Sequence, residues 1–435
     1  MPKTITLAQT VTVMGSFDVV VVGGGPAGCM AALAAARRGC TTVLVERLSF
    51  LGGMATGGLV MPVSEFNKNG RRIISGIAWE TMERLAKAGA ADLSYPIGNV
   101  PFDPEAYKFV LQQMMQESGV ALLLNTMMTG CVKQEKHVTH ILCTSQQGSF
   151  ALEGKRFIDA TGDALLCGYA DVPFQPLPTV EECQPATLCF RLGGVDTAHL
   201  ENIHLSEPNT RYFNSRIRET LDKLRKEQYV PNFGGPWFCW TMREGIVNVN
   251  MTRAAIDSAD PLQASEAACQ LRSDVFRFTD LLKQNVNEFR DCYLLETAVL
   301  IGCRESRRIA GIHVLTGDEL LSGKPFEDTI ACSAHPVDIH IANDSSQHVT
   351  FLEKEGYIPY RSLCIADYPN LLVAGRCISA DRQAFASTRV QAPCMATGQA
   401  AGTAAALSLK TSVAVYDVCI STLQQQLDLP ISWSK

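Results

Sequence analysis

The sequence predicts an α/β fold in which a mainly parallel sheet with a β-meander carries a smaller, inserted α+β unit. Three observations support this prediction. A β-branched run at residues 17–22 leads through a glycine-rich turn into a helix of small apolar residues, a second run follows at 41–45, and a third lies far along the chain at 371–374. Such runs are typical of parallel strands buried on both faces, and their alternation with helices is typical of α/β folds.

Chain length and composition predict two packed units. The 435 residues, 46% of them hydrophobic, exceed what one ordinary core holds. We expect residues 1–175 to form the first part of the sheet domain, 176–328 to form the inserted unit, and 329–435 to complete the sheet domain. Within the inserted unit, the predicted strands are 186–192, 236–242 and 246–251, and the predicted amphipathic helices are 215–228 and 260–286.

The charge balance predicts that the protein binds neither nucleic acid nor membrane. The formal net charge is −6 and the Lys and Arg residues are scattered, so we expect no basic face for phosphate backbones. The first sixteen residues do not resemble a secretory signal. The longest apolar stretch, 17–36, contains three glycines and Pro26 in its middle and is not expected to span a membrane. These features predict a cytoplasmic protein.

The cysteines and histidines predict no metal site. The closest two of the sixteen cysteines are Cys183 and Cys189, and the eight histidines lack the spacing of metal ligands. A redox-active disulfide or an iron–sulfur cluster requires closer thiolate pairs. We therefore expect reduced thiols that serve mostly as small core residues.

The first glycine-rich turn predicts a dinucleotide-binding site. Gly23, Gly25 and Gly28 follow the first strand in the spacing GxGxxG, and Pro26 and Ala27 begin the helix. Because Gly25 has no side chain, the backbone can approach a pyrophosphate there, and the free N–H groups of the helix face that anion. Strand, turn and helix occur in the order that the dinucleotide fold requires.

The second strand ends in a residue suited to the ribose of the same ligand. Glu46 lies eighteen residues after Gly28, at the position of a ribose-binding acid, and Arg47 follows it. The motif alone leaves open whether the ligand is FAD or NAD. A loop with four glycines, residues 51–58, comes almost at once and can pass close to a large, flat, phosphate-bearing cofactor. A plain NAD domain does not need such a loop.

The next segments continue the sheet. A helix is predicted at 104–118, a third parallel strand at 120–124, and an antiparallel meander from 138–144 and 150–157. The meander replaces a crossover helix. A short strand then ends in Ala160, Thr161, Gly162 and Asp163, a glycine turn at the carboxyl edge of the sheet, where ligands bind.

These motifs resemble those of a known group. The segments VGGGPAG at 22–28, GGMAT at 52–56 and IDATGD at 158–163 are similar to those of the FAD-dependent oxidoreductases in the glutathione-reductase-like flavoprotein superfamily, which is distantly similar to fumarate reductase flavoproteins. GCRESRRIAG at 302–311, YIPYRSL at 357–363 and NLLVAGRCIS at 370–379 resemble the middle and C-terminal signatures of that family. The resemblance implies a Rossmann-like FAD-binding fold with FAD as cofactor and 176–328 as the substrate domain.

The resemblance also implies where the cofactor lies. The backbone at Met128 would contact adenine, residues 160–163 the phosphate and ribitol, and Arg376 with Gly398 the flavin end. The first turn of an Ala- and Gly-rich helix at 393–407 would point at N1 and O2 of the isoalloxazine and stabilise the reduced form. The cofactor-binding residues expected in this way are Gly23, Gly25, Pro26, Ala27, Gly28, Glu46, Arg47, Gly52, Gly53, Met54, Ala55, Thr56, Met128, Ala160, Thr161, Gly162, Asp163, Gly375, Arg376, Met395, Ala396 and Gly398.

The best candidates for proton transfer lie in the segment 335–340. Alternation along a strand places Asp338 and His340 on one face, where the carboxylate can orient the imidazole. His340 is therefore the candidate general acid or base. A solvated strand with a structural histidine is the alternative reading of the same residues.

Two further pairs are candidates for the site. Arg304 and Arg307 share a face if their segment is helical, and they can then hold a substrate carboxylate or stabilise reduced flavin. A structural ion pair with Glu305 or with Glu296 is the alternative. Another candidate pair, just before the C-terminal flavin segment, consists of Tyr360 and Arg361.

The function expected from these features is an FAD-dependent oxidoreductase that passes a hydride between a small organic substrate and flavin N5. A dehydrogenase or oxidase is favoured over a fumarate-like C=C reductase, whose heme or flavin carrier domains we do not find. A flavin-dependent RNA-modifying protein and a non-catalytic FAD-binding protein are the alternatives from other classes. The sequence leaves open the substrate, the electron acceptor or donor, and whether the protein forms a homo-oligomer.

Overall fold

The computed structural model describes residues 8–427 and 429, apart from residues 96, 201–214, 258 and 343–345. The strands are β1 (Thr12–Val22), β2 (Thr42–Val45), β3 (Asn67–Lys68), β4 (Arg71–Arg72), β5 (Ala121–Leu123), β6 (Met127–Gln134), β7 (His137–Ser145), β8 (Gly148–Asp159), β9 (Phe190–Gly193), β10 (Phe233–Trp240), β11 (Val247–Thr252), β12 (Tyr293–Thr297), β13 (Thr329–Ser333), β14 (Val337–His340), β15 (Gln347–Thr350), β16 (Gly356–Pro359) and β17 (Leu371–Val373). The helices are α1 (Pro26–Ala36), α2 (Gly76–Lys87), α3 (Pro104–Glu117), α4 (Leu165–Tyr169), α5 (Ser215–Leu224), α6 (Pro261–Asn285), α7 (Gly317–Ser322), α8 (Arg382–Thr388), α9 (Gln391–Thr411) and α10 (Ile420–Gln425).

The main sheet joins both ends of the described chain. Its strands run in the order β5, β2, β1, β8, β7 and β6, and β17 pairs with the end of β8. The pairs β5–β2, β2–β1, β1–β8 and β8–β17 are parallel, whereas β8–β7 and β7–β6 form an antiparallel meander. The predicted α/β fold with a β-meander is therefore confirmed. The sequence prediction missed β6, because its residues alternate between exposed and buried without a continuous apolar run.

The core of this domain forms where two helices of small residues meet. All residues of α1 from Ala27 to Ala35 are buried, because this helix lies beside the sheet and also against α9. A Cβ on Gly402 of α9 would lie 2.1 Å from the carbonyl oxygen of Ala31 on α1, so only glycine permits this approach. The C-terminal segment is thereby fixed against the first helix of the domain.

A second hydrophobic core lies around the sheet β10-β11-β9-β12, whose neighbouring strands are all antiparallel. Its buried members lie between 186 and 298, together with Leu59. Ile309, Leu315 and Leu320 belong to the first core instead. We keep the division of the chain into 1–175, 176–328 and 329–435 as a proposal, and we propose in addition that the inserted unit ends nearer residue 300.

Helix α6 (Pro261–Asn285) closely matches the predicted 260–286, whereas α5 ends at Leu224 and not at the predicted 228. The Asp260 carboxylate accepts hydrogen bonds from the Leu262 and Gln263 amides and so caps the N-terminus of α6, a contact that stabilises a helix by about 1 kcal/mol. The segment 301–311 is not helical, so the assumption that Arg304 and Arg307 share a helix face is wrong.

In the ranges given above, none of the helices combines the length and hydropathy that a membrane-spanning helix requires. Within the same described residues, no three His, Cys, Asp or Glu side chains converge as they would around a metal ion.

Candidate functional site

The glycine turn after β1 places backbone amides around an open space. Gly25 is the N-cap of α1 and Pro26 is its first residue. A Cβ on Gly25 would have no heavy atom within 4 Å, whereas a Cβ on Gly28 would lie 1.7 Å from the carbonyl oxygen of Gly23. Gly28 is therefore required for the packing of the helix against the strand, and Gly25 faces the space where a phosphate can approach the helix N-terminus.

Glu46 follows β2, and its side chain contacts the same glycine turn. Its two carboxylate oxygens accept hydrogen bonds from the Gly24 amide at 2.6 Å and from the Leu48 amide at 2.9 Å. The side chain is buried, and each carboxylate oxygen has a second lone pair. Glu46 is thus positioned beside the glycine turn and can still accept hydrogen bonds from ribose hydroxyls.

The glycine loop 51–58 lies directly against this turn. The Gly52 amide donates to the Gly24 carbonyl at 2.8 Å, and a Cβ on Gly53 would lie 2.7 Å from the Cα of Gly25. The Thr56 hydroxyl donates to the Leu51 carbonyl at 2.7 Å and closes the loop on itself. Ala55 of this loop is fully buried.

A cavity of 810 Å³, which we call the dinucleotide cavity, opens at the carboxyl ends of β1, β2 and β8. This volume lies within the usual range for cofactor sites, roughly 300–1,000 Å³. The predicted cofactor residues that line it are Gly23, Glu46, Arg47, Met128, Thr161 and Asp163. The open approach at Gly25, the acid at Glu46 and the cavity together fit the adenosine and phosphate part of FAD.

An ion pair lies at the boundary between this cavity and a second one. The Arg376 Nη2 atom lies 2.6 Å from the Asp163 carboxylate, and its Nη1 atom donates to the Cys303 carbonyl at 2.9 Å. Burial opposes the ionisation of Asp163, but the guanidinium of Arg376 outweighs it and holds the pKa of Asp163 below its usual range. Gly162 packs against the same guanidinium group.

The second cavity, which we call the inner cavity, measures 200 Å³. Met54 of the glycine loop and Gln391 in the first turn of α9 line one part of it, so it adjoins the segments expected to hold the flavin ring. The helix begins at Gln391, earlier than the predicted 393. The lining also includes Glu65, Trp237, Arg304, His335, Asp338, His340 and Arg389.

Asp338 and His340 form a hydrogen-bonded pair on the wall of the inner cavity. The His340 Nε2 atom lies 3.0 Å from Asp338 Oδ2, and the His340 Nδ1 atom lies 2.9 Å from Nη2 of Arg253. A guanidinium can only donate, so Nδ1 accepts from Arg253 and the imidazole proton is on Nε2, where it is donated to Asp338. Both side chains are buried.

The protonation states of this pair follow from its surroundings. Burial, together with the positive charges of Arg304 and Arg253, lowers the pKa of His340 to about 3. Burial alone would raise the pKa of Asp338, but the hydrogen bond from His340 and the charge of Arg389 outweigh it and hold that pKa well below its usual range. At neutral pH the imidazole is neutral and the carboxylate is ionised. Asp338 Oδ1 is buried and accepts no hydrogen bond from any residue that the structure describes.

Two arginines also line the inner cavity. The Arg304 Nη1 atom donates to the Pro185 carbonyl at 2.7 Å. The Arg389 Nη2 atom donates to the side-chain oxygen of Gln184 at 3.3 Å and to the backbone carbonyl of Asp338 at 3.2 Å. Arg307 lies apart from them, lining the dinucleotide cavity and donating from Nε to the Asp163 carbonyl at 3.0 Å.

Tyr360 and Arg361 do not reach either cavity. The Tyr360 hydroxyl is buried and donates to the Val415 carbonyl at 2.6 Å. Arg361 forms an ion pair with Asp328 at 2.9 Å. Both are structural contacts of the C-terminal segment, and these contacts do not support the predicted role of the two residues in catalysis.

Several residues expected at the flavin end instead build the α1–α9 contact. Gly398 faces the backbone of Ala27, and a Cβ on Gly375 would lie 2.8 Å from the Cβ of Ala27. The Met395 sulfur lies 3.8 Å from the Tyr107 hydroxyl in the core, and Ala396 lines a different, small cavity. Ala160 is buried at the end of β8. The side chains of Ala27, Met395 and Ala396 therefore serve packing, and Gly398 serves close helix approach.

Sequence reasoning missed Arg389 and Trp237, which line the inner cavity, and Arg253, which donates to His340. Arg253 after β11 and Arg389 before α9 are single basic residues in segments that carry no motif, and Trp237 resembles any buried aromatic residue of a strand. The one available signal was the position of Arg389 just before the small-residue helix. Their partners are more than fifty residues away along the chain, so spacing could not reveal them.

Comparison with known families decides the identity of this fold. The sequence profile of a family described as FAD-dependent oxidoreductase matches residues 18–427. The chain belongs to this family. The flavoenzyme is accordingly an oxidoreductase whose cofactor is FAD, as the glycine turn and the dinucleotide cavity indicate.

Partial similarity links the oxidoreductase to two groups of curated relatives. It is 29% identical over 184 residues to the tRNA uridine 5-carboxymethylaminomethyl modification enzyme of Syntrophotalea carbinolica. The matched segment covers 40% of this chain and 28% of that protein. It is 42% identical over 79 residues to the 3-oxosteroid 1-dehydrogenase of Mycobacterium tuberculosis, 15% of this chain and 14% of that protein. The matched segments thus span less than a third of these relatives.

Two solved structures are partly similar to this chain in their fold. A geranylgeranyl bacteriochlorophyll reductase-like protein from Thermoplasma acidophilum matches 95% of this chain and 82% of its own, with a TM-score of 0.49 and 15% identity. A p-nitrophenol 4-monooxygenase from Pseudomonas putida matches 95% and 86%, with a TM-score of 0.49 and 12% identity.

Proposed function

We propose that this FAD-dependent oxidoreductase oxidises a small organic substrate in the inner cavity, with Asp338 taking the proton that the substrate releases. The observation that carries the proposal is the state of Asp338, which lines the inner cavity: one carboxylate oxygen accepts a hydrogen bond from His340, and the other is buried without a hydrogen-bond partner among the described residues. When bound, FAD supplies a two-electron acceptor for the hydride.

The protonation states on the cavity wall support oxidation of the substrate as the direction of the reaction. Removing a hydride from an alcohol or an amine leaves a proton that a base must take. Asp338 is ionised and His340 is neutral at physiological pH, so both groups are in their basic form. A fumarate-like reductase requires a proton donor instead, and neither member of this pair is one. This favours a dehydrogenase or an oxidase over a C=C reductase.

His340 acts in this proposal through Asp338. Its Nε2–H group holds one carboxylate oxygen, and Arg253 fixes the tautomer by donating to Nδ1. The edge of the His340 ring also packs against Trp237, with ring centroids 5.2 Å apart. The sequence predicts His340 as the general acid or base. We instead assign the base to Asp338 and a positioning role to His340.

The two alternatives from other classes have weaker support. The RNA-modifying class rests on the partial similarity to a tRNA-modifying enzyme, which covers less than a third of that protein. A non-catalytic FAD-binding protein would not need an ionised carboxylate, oriented by a histidine, on the wall of a cavity beside the flavin segments.

Anaerobic reduction of the bound flavin tests the proposal. The purified yellow protein is mixed without oxygen with a panel of small alcohols, amines and hydroxy or amino acids, and loss of the visible flavin absorbance is followed. We expect at least one member to bleach the flavin, and recovery of the colour in air would identify an oxidase. If no member bleaches the flavin, and chemically reduced enzyme is instead reoxidised by fumarate or a related alkene, the proposed direction is wrong.

A further inference from the structure

We propose that the substrate is an organic carboxylate whose carboxylate group is bound in the inner cavity by Arg304 and Arg389. This inference rests on the proposed oxidation at the same cavity and names the chemical class of its substrate. It identifies Arg389, which carries no sequence motif, as a residue that determines specificity.

Arg304 reaches the cavity from the irregular segment that follows β12. Its side chain is buried, and its two Nη atoms donate to the Pro185 carbonyl at 2.7 Å and, more loosely, to the Asn250 side-chain oxygen at 3.4 Å. Both partners are neutral. A guanidinium has five N–H donors in a planar fork, so these contacts leave donors available on a group that lines the cavity.

Arg389 reaches the same cavity from the residue before the helix α9 N-cap. Its Nη2 atom is shared between the Gln184 side chain and the Asp338 backbone carbonyl, both again neutral acceptors. The Nε atom is buried and has no hydrogen-bond partner among the described residues. Two guanidinium groups that come from distant parts of the chain thus meet at one small cavity.

Two other arginines of this region have carboxylate partners. Arg376 is paired with Asp163 at 2.6 Å, and Arg308 with Glu305 at 3.0 Å. Among the described residues, the ion pairs include neither Arg304 nor Arg389. Asp338 offsets part of the positive charge of both groups, and a bound anion would offset more of it.

The electrostatics of the cavity support the same assignment. Burial and the nearby charge of Arg389 lower the pKa of Arg304 to about 10, and burial also lowers the pKa of Arg389. Asp338, the acid that acts on both arginines, also accepts a hydrogen bond from His340. A carboxylate accepts bidentate hydrogen bonds from a guanidinium, so it is the small anion whose geometry best matches these two guanidinium groups.

Two kinds of molecule share this chemistry. A hydroxy acid carries only the carboxylate, whereas an amino acid adds an ammonium group, for which Glu65 offers a second acid on the cavity wall. The shared group, the carboxylate, is what the two arginines recognise. Acetate and glycine, as probes, separate the two cases.

Calorimetric titration of the FAD-loaded protein tests the inference. The probes are sodium acetate, sodium benzoate and glycine, with acetamide and benzamide as neutral molecules of the same shape, all at constant ionic strength in sodium chloride. We expect the carboxylates to bind at least tenfold more tightly than the amides. Arg304→Met and Arg389→Met should each weaken carboxylate binding at least tenfold and leave amide binding unchanged. Tighter binding of glycine than of acetate would identify an amino acid as the substrate type.

Matched variants keep the test decisive. Arg304→Lys retains the charge but not the planar fork, so it should bind benzoate better than Arg304→Met and less well than the wild type. Arg272→Met, on the exposed face of α6, should bind like the wild type. Flavin content and melting temperature, measured for each variant, separate lost binding from lost folding.

The inference is overturned if amides bind as tightly as carboxylates, or if both methionine variants keep full affinity for benzoate. It is also overturned if the variants shift only the flavin reduction potential, because the arginines would then serve the reduced cofactor. Arginine-dependent benzoate binding in a protein whose flavin no substrate reduces would refute the proposed oxidation and leave the carboxylate site supported.

Discussion

Gly398 of helix α9 lies in direct backbone contact with Ala27 of helix α1, so that a Cβ on Gly398 would stand 2.0 Å from the Ala27 carbonyl oxygen. This contact ties the C-terminal segment to the first helix of the dinucleotide fold. It explains why α9 consists of small residues: larger side chains would separate the two helices and move the Gln391 turn away from the inner cavity.

Replacing Gly398 by alanine should therefore destabilise the fold. The added methyl group overlaps the backbone of the neighbouring helix, and overpacking of this kind costs about 1–3 kcal/mol of the free energy of unfolding. Denaturant unfolding of the flavin-free protein measures this. Gly25→Ala is the matched control, because no heavy atom lies within 4 Å of the added Cβ. Equal stability of the two variants would show that the helices can separate without cost.

Gly25→Val should abolish FAD retention without unfolding the protein. The added side chain enters the open space at the N-terminus of α1, where the pyrophosphate must approach the backbone. We expect a colourless protein after gel filtration, with an unfolding transition close to that of the wild-type apoprotein. Gly28→Ala offers a contrast, because its Cβ would lie 1.7 Å from the Gly23 carbonyl oxygen and should disturb folding itself. A yellow Gly25→Val protein would place the phosphates elsewhere.

Asp338→Asn should slow substrate oxidation by roughly 10²–10⁴-fold, the usual contribution of a general base. The amide keeps the shape of the carboxylate but cannot take a proton, so flavin content and spectrum should not change. The rate of anaerobic flavin bleaching measures the effect, and Asp280→Asn, exposed on α6, is the control. Because the pKa of His340 lies at about 3 and that of Asp338 well below its usual range, neither group should impose an acid limb on the wild-type rate above about pH 5. An unchanged bleaching rate would remove Asp338 from the mechanism.

Asp274→Asn should stabilise the protein at neutral and alkaline pH. Asp274 is buried in α6, its Oδ2 atom accepts no hydrogen bond from the described residues, and burial raises its pKa to about 6. The folded state therefore binds this proton more tightly than the unfolded state does. The charge lowers stability fully above pH 6, and that cost disappears as the pH falls below about 4.

We expect Asp274→Asn to raise the free energy of unfolding by about 1–3 kcal/mol at about pH 8, and to change it little at about pH 4. Denaturant unfolding at both pH values checks this, with Asp280→Asn on the exposed face of the same helix as the control. A gain of equal size at both pH values would mean that packing, rather than the buried charge, sets the effect.

The sequence by itself determined the dinucleotide half of the site. Gly23, Gly25, Gly28 and Glu46 lie within two strands and one helix that follow each other directly, so their spatial relationship follows from secondary structure alone. The family signatures near residue 370 likewise predicted that the chain returns to the sheet, where β17 pairs with β8.

Only the tertiary structure decided the inner cavity. Its residues Arg304, Asp338, His340 and Arg389, and Arg253 that donates to His340, come from separate segments of the chain, and contacts between distant parts of the chain set their mutual distances. Arg304 and Arg307, close in sequence, line different cavities because their segment is not helical. The sequence also could not predict the charges on His340 and Asp338, because a pKa depends on burial and on neighbours that sequence spacing does not reveal. Local backbone geometry can be read from residue order, whereas a site assembled across the core depends on packing.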